Sequence, residues 1–171
     1  RGAVFTVLET LWHVLAIENL SSNNVIGILG LGFIGGKVLR QLRELGYSTI
    51  GFDSRIKTAH EGDYPILTSD FNLLSRCRVV IILTAKGSDI IEAIPYFKEA
   101  VIVIDDTHPQ VPSSLVKEIQ NKGGKVYKSV LGLEGVRFLP EIPGYHKEWL
   151  PGCVIEAIIS LNGSVGKTQQ N

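Results

Sequence analysis

The 171-residue sequence has no methionine, two cysteines and no excess of either charge, and each of these shortages excludes a class of protein. Lysine plus arginine number 17, as do aspartate plus glutamate, so there is no basic face and no nucleic-acid partner is expected. Two cysteines are too few for a disulfide scaffold and fit a reducing compartment, which predicts a cytoplasmic protein. No group of cysteines and histidines has metal-ligand spacing, so no metal site is predicted.

The first twenty residues are rich in apolar side chains, but polar residues interrupt them at Glu9, His13 and Glu18. The apolar positions recur at helical spacing, at Val4, Leu8, Leu11 and Leu15. This pattern predicts a packing helix and argues against a signal peptide, a membrane span and hence a membrane partner. We therefore interpret residues 1–24 as a packing helix and a linker. Because the sequence starts at Arg1 and has no methionine, we expect it to be part of a longer protein.

Residues 25–39 read as a buried strand, a glycine turn and the start of a helix. The turn has the spacing G-x-G-x-x-G at Gly30, Gly32 and Gly35, with an apolar run before it and an amphipathic pattern after it. Gly30 allows a sharp exit from the strand, Gly32 leaves room for a pyrophosphate, and Gly35 lets the helix lie close to the sheet. The turn therefore predicts a dinucleotide-binding site.

The helix after this turn is predicted to open near Phe33 and to end at Gly46. The backbone N–H groups of Phe33 and Ile34, together with the positive end of the helix dipole, would bind the diphosphate of a dinucleotide. The inward face of this helix is predicted at Val38, Leu39, Leu42 and Leu45.

The second strand, predicted over residues 47–52, ends on Asp53. A carboxylate at this distance from the glycine turn accepts two hydrogen bonds from a ribose diol and repels a 2′-phosphate, which favours NAD over NADP. Arg55 leaves NADP open, because a guanidinium just past the acid pairs with a phosphate. Ser54 lies between the two and is included in the predicted cofactor site. The alternative for Asp53 is a turn residue that closes the strand.

Downstream, short apolar runs alternate with helical and loop segments, which is typical of a doubly wound, mainly parallel α/β sheet with helices on both faces. Further strands are predicted at residues 65–67, 79–83, 101–104 and 125–127, and helices at 71–74, at 113–121 and at 153–161. Ser113 or Ser114 would cap the second of these helices. Residues 129–151 are predicted as a long loop and 162–171 as a disordered polar tail, so the Rossmann domain is predicted over 25–161.

Ligands lie at the carboxyl ends of parallel strands, so the residues that follow each strand are candidates for chemistry. After the fourth strand, Thr84 and Ala85 are small enough for a nicotinamide ribose to approach the backbone. Lys86 follows them, either as a group that reaches a substrate carbonyl or as a solvated loop lysine.

After the fifth strand, His108 follows the adjacent acids Asp105 and Asp106. An imidazole next to an orienting carboxylate could serve as a general acid or base. Because adjacent residues point in different directions, we expect one acid to cap a turn and the other to face the cleft.

Cys153 lies at the predicted start of the last helix, where the helix dipole stabilises a thiolate and makes a nucleophile. Glu156 lies one turn further on the same side of that helix. The alternative is that Cys153 is a small buried apolar residue.

Val25–Arg55 resembles the cofactor half of NAD(P)-dependent dehydrogenases, particularly prephenate and D-2-hydroxyacid dehydrogenases. Over the whole chain, the N-terminal helix, Ile104–Pro109 and Cys153–Ala157 resemble the cofactor domain of the shikimate-dehydrogenase-like superfamily, above all its acyl-carrier-protein reductase branch. This resemblance implies a nucleophilic Cys153, an acyl-thioester substrate and a substrate-binding domain upstream of Arg1.

The expected function is therefore an NAD(P)-dependent oxidoreductase that transfers hydride to or from a carbonyl-type small molecule, with NAD as the cofactor and NADP left open. His108 or Lys86 would donate the proton in the simpler mechanism, and Cys153 would attack a thioester in the covalent one. The alternative is a regulatory Rossmann domain that senses a nucleotide without catalysis. An oligomer of identical chains also stays open.

Overall fold

The computed structural model describes residues 2–57, 64–132, 146–151 and 154. One sheet contains the strands β1 (Ile26–Leu29), β2 (Thr49–Phe52), β3 (Ile66–Thr68), β4 (Val79–Ile82), β5 (Ile102–Asp105) and β6 (Lys125–Lys128). The α-helices are α1 (Gly2–Ile17), α2 (Phe33–Glu44) and α3 (Ser113–Asn121), and short 3-10 helices cover Phe71–Arg76, Gly87–Ile90 and Ile94–Tyr96. A separate antiparallel pair joins β7 (Leu131–Gly132) to β8 (Trp149–Leu150).

All strands of the six-stranded sheet run parallel, in the order β3-β2-β1-β4-β5-β6. The chain moves outward from β1 in one direction through β2 and β3, and then returns to the other side of β1 at β4. This reversal between β1 and β4 is the topological switch point, where open α/β sheets bind ligands at the carboxyl ends of their strands. The predicted doubly wound sheet is confirmed.

The register brings the carboxyl ends of the strands into one row. Leu29 pairs with Phe52 on one side and with Ile82 on the other, and Ile82 pairs in turn with Asp105. The hydrogen-bond ladder continues one residue past the strand ends. For example, Gly30 N–H donates to the Phe52 carbonyl at 2.9 Å. The residues that follow β1, β2, β4, β5 and β6 therefore lie side by side along this edge.

Helices cover both faces of the sheet. On one face, α1 and α2 bury an apolar cluster with alternate strand residues, and the predicted inward stripe of α1 at Val4, Leu8, Leu11 and Leu15 is buried. On the other face, α3 and the 3-10 helices bury a second cluster. Glu18, just after α1, accepts hydrogen bonds from Lys125 and Tyr127, which ties the end of α1 to β6.

Several predicted details are wrong. Leu45 was expected to face inward but is 57% exposed, because it lies at the C-cap just before the left-handed Gly46 (φ +82°) that ends α2. Neither Ser113 nor Ser114 caps α3, since Pro112 occupies the N-cap and the serines lie inside the helix. The predicted loop over 129–151 contains the β7–β8 pair.

Other predictions lie outside the described residues or are untested. The helix at 153–161 and the polar tail fall almost wholly outside them, so the domain bounds of 25–161 stay a prediction. Among the described helices, none is long and apolar enough to cross a membrane.

Candidate functional site

The glycine turn between β1 and α2 has two glycines that the fold itself requires. Gly30 has a left-handed backbone (φ +93°), and a Cβ there would lie 2.7 Å from the carbonyl oxygen of Leu83. A Cβ on Gly35 would lie 1.9 Å from the carbonyl oxygen of Gly30. Both distances are far inside van der Waals contact, so a side chain at either position would push α2 or β4 away from β1.

Gly32 is different, because nothing in the described fold requires a glycine there. Its backbone is ordinary and extended (φ −68°, ψ −161°), and a Cβ would meet no other part of the described structure within 4 Å. The space next to Gly32 opens instead into a cavity at the switch point. The fold does not require the absence of a side chain at Gly32, and this absence leaves room for a ligand to approach the backbone.

The first turn of α2 supplies donors toward this space. The helical hydrogen bonds begin with Gly36 N–H, which donates to the Gly32 carbonyl at 2.9 Å. The N–H groups before it, including those of Phe33 and Ile34, have no acceptor within the helix and carry its positive dipole end. The Phe33 ring is 74% exposed and lies under the Lys37 ammonium, 3.8 Å from the ring centroid. The turn is therefore suited to bind an anion through its backbone.

Asp53 follows β2 directly and reaches across to the glycine turn. Its carboxylate accepts a hydrogen bond from Leu31 N–H at 3.0 Å, and it pairs with the Arg55 guanidinium through two hydrogen bonds of 2.7 Å each. Arg55 N–H donates a further bond to the same carboxylate at 3.0 Å. The hydrogen bonds from the Arg55 guanidinium lower the pKa of the Asp53 carboxyl well below its ordinary value. Partial burial raises the pKa and offsets only part of this effect.

A cavity of about 520 Å³ joins these parts. Its lining combines the glycine turn, the Asp53 corner, the residues after β4 and an apolar wall, namely Gly30, Gly32, Asp53, Ser54, Arg55, Thr84 and Ala85 together with Phe52, Phe71, Ile90 and Ala93. Three acids, Asp53, Asp89 and Glu92, also line it. Most of the residues predicted for the cofactor thus surround one cavity.

The loops after β4 and β5 are packed into a single unit. Gly87 N–H donates to the Pro109 carbonyl at 2.9 Å, and a Cβ on Gly87 would lie 2.2 Å from the Val111 nitrogen. Lys86 and His108 lie on this unit with exposed side chains, and neither lines the cavity. The structure therefore does not bring these two predicted proton donors to the site that holds the cofactor residues.

The adjacent acids after β5 have different surroundings, as the sequence predicted. Asp105 is 3% exposed and accepts hydrogen bonds from Thr107 N–H at 2.9 Å, the Thr107 hydroxyl at 2.6 Å and Val111 N–H at 2.9 Å. The Lys128 ammonium lies 3.5 Å from the same carboxylate. Asp105 is thus the acid that shapes the loop.

Asp106 is the acid that sequence reasoning left without a definite role. It follows β5 on the sheet face opposite to Asp105, next to Ser129 in the row at the carboxyl edge. Burial raises the pKa of Asp106 to about 6, against the opposing effects of the Ser129 hydroxyl and the Lys128 ammonium. The Ser129 hydroxyl is buried next to this carboxyl. A titratable carboxyl and a buried hydroxyl therefore lie together at this edge.

Of the two cysteines, only Cys77 lies among the described residues. Cys77 is fully buried, with its Sγ 2.9 Å from where a Cβ on Gly27 would lie, and burial raises the pKa of its thiol to about 12. Cys153 and Glu156 lie outside the described residues, so the nucleophile hypothesis stays a prediction. Within the described ranges, no group of three or more histidine, cysteine or acidic side chains is arranged to hold a metal ion.

The chain resembles one group of curated proteins over about half of its length. Erythronate-4-phosphate dehydrogenase of Pseudomonas fluorescens is 34% identical over 93 residues, which are 52% of this chain and 24% of that protein. The same enzyme of Pseudomonas savastanoi pv. phaseolicola is 32% identical over 85 residues, 49% of this chain and 22% of that protein. The match thus spans about a quarter of the length of these relatives. No model of a known protein family matches the chain.

Solved structures of dehydrogenases share its architecture. NAD+-bound 3-phosphoglycerate dehydrogenase of Entamoeba histolytica superposes with a TM-score of 0.56 at 15% identity, over 74% of this chain and 45% of that one. The chain has the Rossmann fold of NAD(P)-dependent dehydrogenases. Shikimate 5-dehydrogenase of Thermus thermophilus, solved with NADP(H) and shikimate, has a TM-score of 0.50 at 17% identity, over 71% of this chain and 49% of that one. The predicted resemblance to dehydrogenase cofactor domains, the shikimate-dehydrogenase type included, is confirmed for the fold.

Proposed function

We propose that this chain is the NAD(P)-binding part of an oxidoreductase that transfers hydride to or from a carbonyl-type small molecule, with NAD as the preferred cofactor. The observation that carries the proposal is the open space beside Gly32 at the switch point of the sheet. No described atom requires a glycine at this position, and the free N–H groups at the α2 N-terminus are suited to bind an anion there.

The rest of the cavity supports the same ligand. Asp53 offers two carboxylate oxygens next to the turn, where a ribose diol would donate its hydrogen bonds. The wall formed by Phe52, Phe71, Ile90 and Ala93 is apolar and suits a flat base. Three acids against one arginine line the cavity, and this charge balance disfavours an additional 2′-phosphate. These features support NAD over NADP.

A bound nicotinamide cofactor would supply the hydride acceptor or donor, and the protein would position it. Thr84 and Ala85 line the cavity on the β4 side, where small side chains leave the nicotinamide half close to the backbone. Asp106 and Ser129 lie further along the same edge and are the groups best placed there to hold or move a proton. The names of the curated relatives also support a dehydrogenase with a small-molecule substrate.

Titration calorimetry of the chain with NAD, NADH and NADP tests the proposal. We expect NAD and NADH to bind with one-to-one stoichiometry and NADP to bind more weakly. ADP-ribose serves as a matched ligand, because it keeps the adenosine, both riboses and the diphosphate while lacking nicotinamide. Absence of binding by all four ligands would refute the cofactor assignment.

The substrate class and the covalent step need separate tests. If the acyl-thioester mechanism operates, iodoacetamide should label Cys153 near neutral pH much faster than Cys77 in the folded chain, as mass spectrometry would show. An inert Cys153 would leave direct reduction of a carbonyl as the mechanism. A purely regulatory nucleotide sensor would show ligand-dependent assembly without turnover in the full-length protein, whereas turnover with a carbonyl substrate would exclude it.

A further inference from the structure

Asp106 lies at the carboxyl end of β5, two strands from the glycine turn that follows β1. Its N–H donates to the Ile82 carbonyl of β4 at 3.1 Å, and Ser129 N–H donates to the Asp105 carbonyl at 2.8 Å, so Asp106 lies between the ends of β4 and β6. Neighbouring strands lie about 4.8 Å apart, which puts β5 about 10 Å from β1. Asp106 does not line the cavity described above, but it lies only one strand beyond the residues that form the β4 side of that cavity.

The proposed function decides which half of the cofactor would reach this end of the sheet. With the diphosphate beside Gly32 and the adenosine ribose at Asp53 after β2, the nicotinamide half extends from β1 in the other direction, towards β4 and β5. The nicotinamide ring carries a positive charge in NAD and none in NADH, and the two molecules are otherwise alike. A charged side chain at this end therefore acts more strongly on one redox state of the cofactor than on the other.

The Asp106 carboxyl changes its charge near neutral pH. Burial raises its pKa to about 6, against the opposing effects of the Ser129 hydroxyl and the Lys128 ammonium, while the nearby Asp105 carboxylate adds to the rise. The Lys128 ammonium lies 3.5 Å from the Asp105 carboxylate, so these two charges largely offset each other. The Asp106 side chain is therefore an anion above about pH 6 and neutral below it.

Other titratable groups near this end of the sheet contact one another or are exposed. On the sheet face that Asp106 shares, Lys125 and Tyr127 of β6 both donate to the Glu18 carboxylate after α1. The loops after β4 and β5 carry two further titratable side chains, both exposed, Lys86 and His108. Because the Lys125–Glu18 ion pair cancels the charges of β6 and α1 on this face, the Asp106 carboxylate sets the charge there.

We infer that Asp106 makes this site distinguish the two redox states of the cofactor, because its carboxylate attracts the cationic ring of NAD and has no such effect on the neutral ring of NADH. Two unit charges about 10 Å apart attract by a factor of roughly two to fifteen in a binding constant, between the dielectric of water and that of a protein surface. The preference for NAD requires the ionised carboxylate, so it is lost as the pH falls through 6. This inference rests on the proposed function.

Asp106→Asn tests the attraction, because it removes the charge and keeps the size of the side chain. We expect the ratio of the NADH to the NAD dissociation constant, measured by calorimetry at pH 7.5, to fall by a factor of about two to fifteen in this variant. The matched control is Asp70→Asn, which removes an exposed acid after β3, four strand spacings from β5 along the same edge. That separation is roughly 19 Å, beyond the Debye length of about 8 Å at physiological salt, so the ratio should keep its wild-type value.

The pH dependence of binding tests the role of the carboxyl in the wild type. Between pH 7.5 and 5.5, the NAD affinity should fall more than the NADH affinity, and Asp106→Asn should abolish this difference. The comparison of the two ligands removes the effects of groups that titrate near the diphosphate or the adenosine, which both ligands carry.

Carbon-13 NMR of the Asp106 carboxyl follows the same equilibrium without a substitution. Because NAD favours the ionised carboxylate, the midpoint of the titration should lie about 0.3–1.2 pH units lower with bound NAD than with bound ADP-ribose, which lacks the nicotinamide ring. NADH should give the same midpoint as ADP-ribose. These shifts correspond to the twofold to fifteenfold change in affinity.

Three results would overturn the inference. These are an unchanged NADH to NAD ratio in Asp106→Asn, an equal pH dependence of NAD and NADH binding in the wild type, and an Asp106 titration that has the same midpoint with NAD as with ADP-ribose. If the wild type binds NAD and any of these is found, the inference fails and the proposed function stands. If the wild type binds none of NAD, NADH and ADP-ribose, the proposed function fails as well.

Discussion

At the β1–β2 end of the carboxyl edge, the groups that would hold a ligand are in contact, whereas at the β4–β6 end the two side chains predicted as proton donors do not line the cavity. Asp53, Arg55 and Leu31 form one hydrogen-bonded unit next to the open space at Gly32. At the other end, Lys86 and His108 are exposed on packed loops outside the cavity. The parts of the proposed binding site are thus held together by the fold, whereas the described groups predicted as proton donors lie outside the cavity.

The difference has a physical origin. A diphosphate is bound by backbone N–H groups at a helix N-terminus, which the strand and the glycine turn place within a few residues. General acid–base chemistry needs side chains that converge from several loops, each with its own orientation. Residues 133–145, which follow β7 in the chain, lie outside the described residues. The following changes test each end, from the largest expected effect to the smallest.

Gly35→Ala should destabilise the fold at the glycine turn between β1 and α2. The new Cβ would lie 1.9 Å from the Gly30 carbonyl oxygen, which is backbone and cannot move without shifting the turn. We expect the free energy of unfolding to fall by more than about 3 kcal/mol in urea denaturation. Gly36→Ala, on the same helix with no neighbour within 4 Å, is the control and should gain up to about 1 kcal/mol. Equal stability of the two variants would contradict the close packing of α2.

Asp105→Ala should destabilise the packed loops that follow β4 and β5. The substitution removes the acceptor of the buried Val111 N–H and one of the partners of the Lys128 ammonium. Loss of one member of such a buried pair costs about 3–5 kcal/mol, measurable by urea denaturation. Asp70→Ala, which removes an exposed acid that accepts from Asn72 N–H at 2.9 Å, should cost about 1 kcal/mol. A similar cost for both acids would show that Asp105 does not organise the loop.

Gly32→Val should separate binding from folding. The valine side chain would fill the space beside the turn and exclude a diphosphate, so we expect the NAD affinity to fall by about a hundredfold, or about 3 kcal/mol. The free energy of unfolding should stay within about 0.5 kcal/mol of the wild type, because the backbone of Gly32 is ordinary and no described atom is displaced. Unchanged NAD binding would show that the cavity beside Gly32 is not the diphosphate site.

The two ends also differ in how far the sequence predicts them. The glycine turn, Asp53 and the bounds of α3 follow from local spacing, because the turn, the strand and the helix are set by neighbouring residues. The Asp53–Arg55 pair was not predicted as an internal contact, since its geometry depends on side-chain rotamers, and the Leu31–Asp53 contact depends on the β1–β2 register. The separate surroundings of Asp105 and Asp106 were predicted from the alternation along a strand, but which acid shapes the loop depends on Val111 and Lys128.

Asp106→Asn should change the pH dependence of stability by a small amount. The pKa of Asp106 is about 6 in the folded protein against an ordinary value of 3.8, so the folded state keeps a proton that the unfolded chain has lost. Its contribution to stability is full below about pH 4 and is lost as the pH rises through 6. We expect the variant to gain about 1–3 kcal/mol relative to the wild type between pH 4 and 7.5 in urea denaturation. The pKa of Asp53 is lowered, so its contribution to stability is lost only as the pH falls below the ordinary value of 3.8, outside this window. Parallel stability curves for the variant and the wild type would show that Asp106 is solvated and does not hold a proton at this edge.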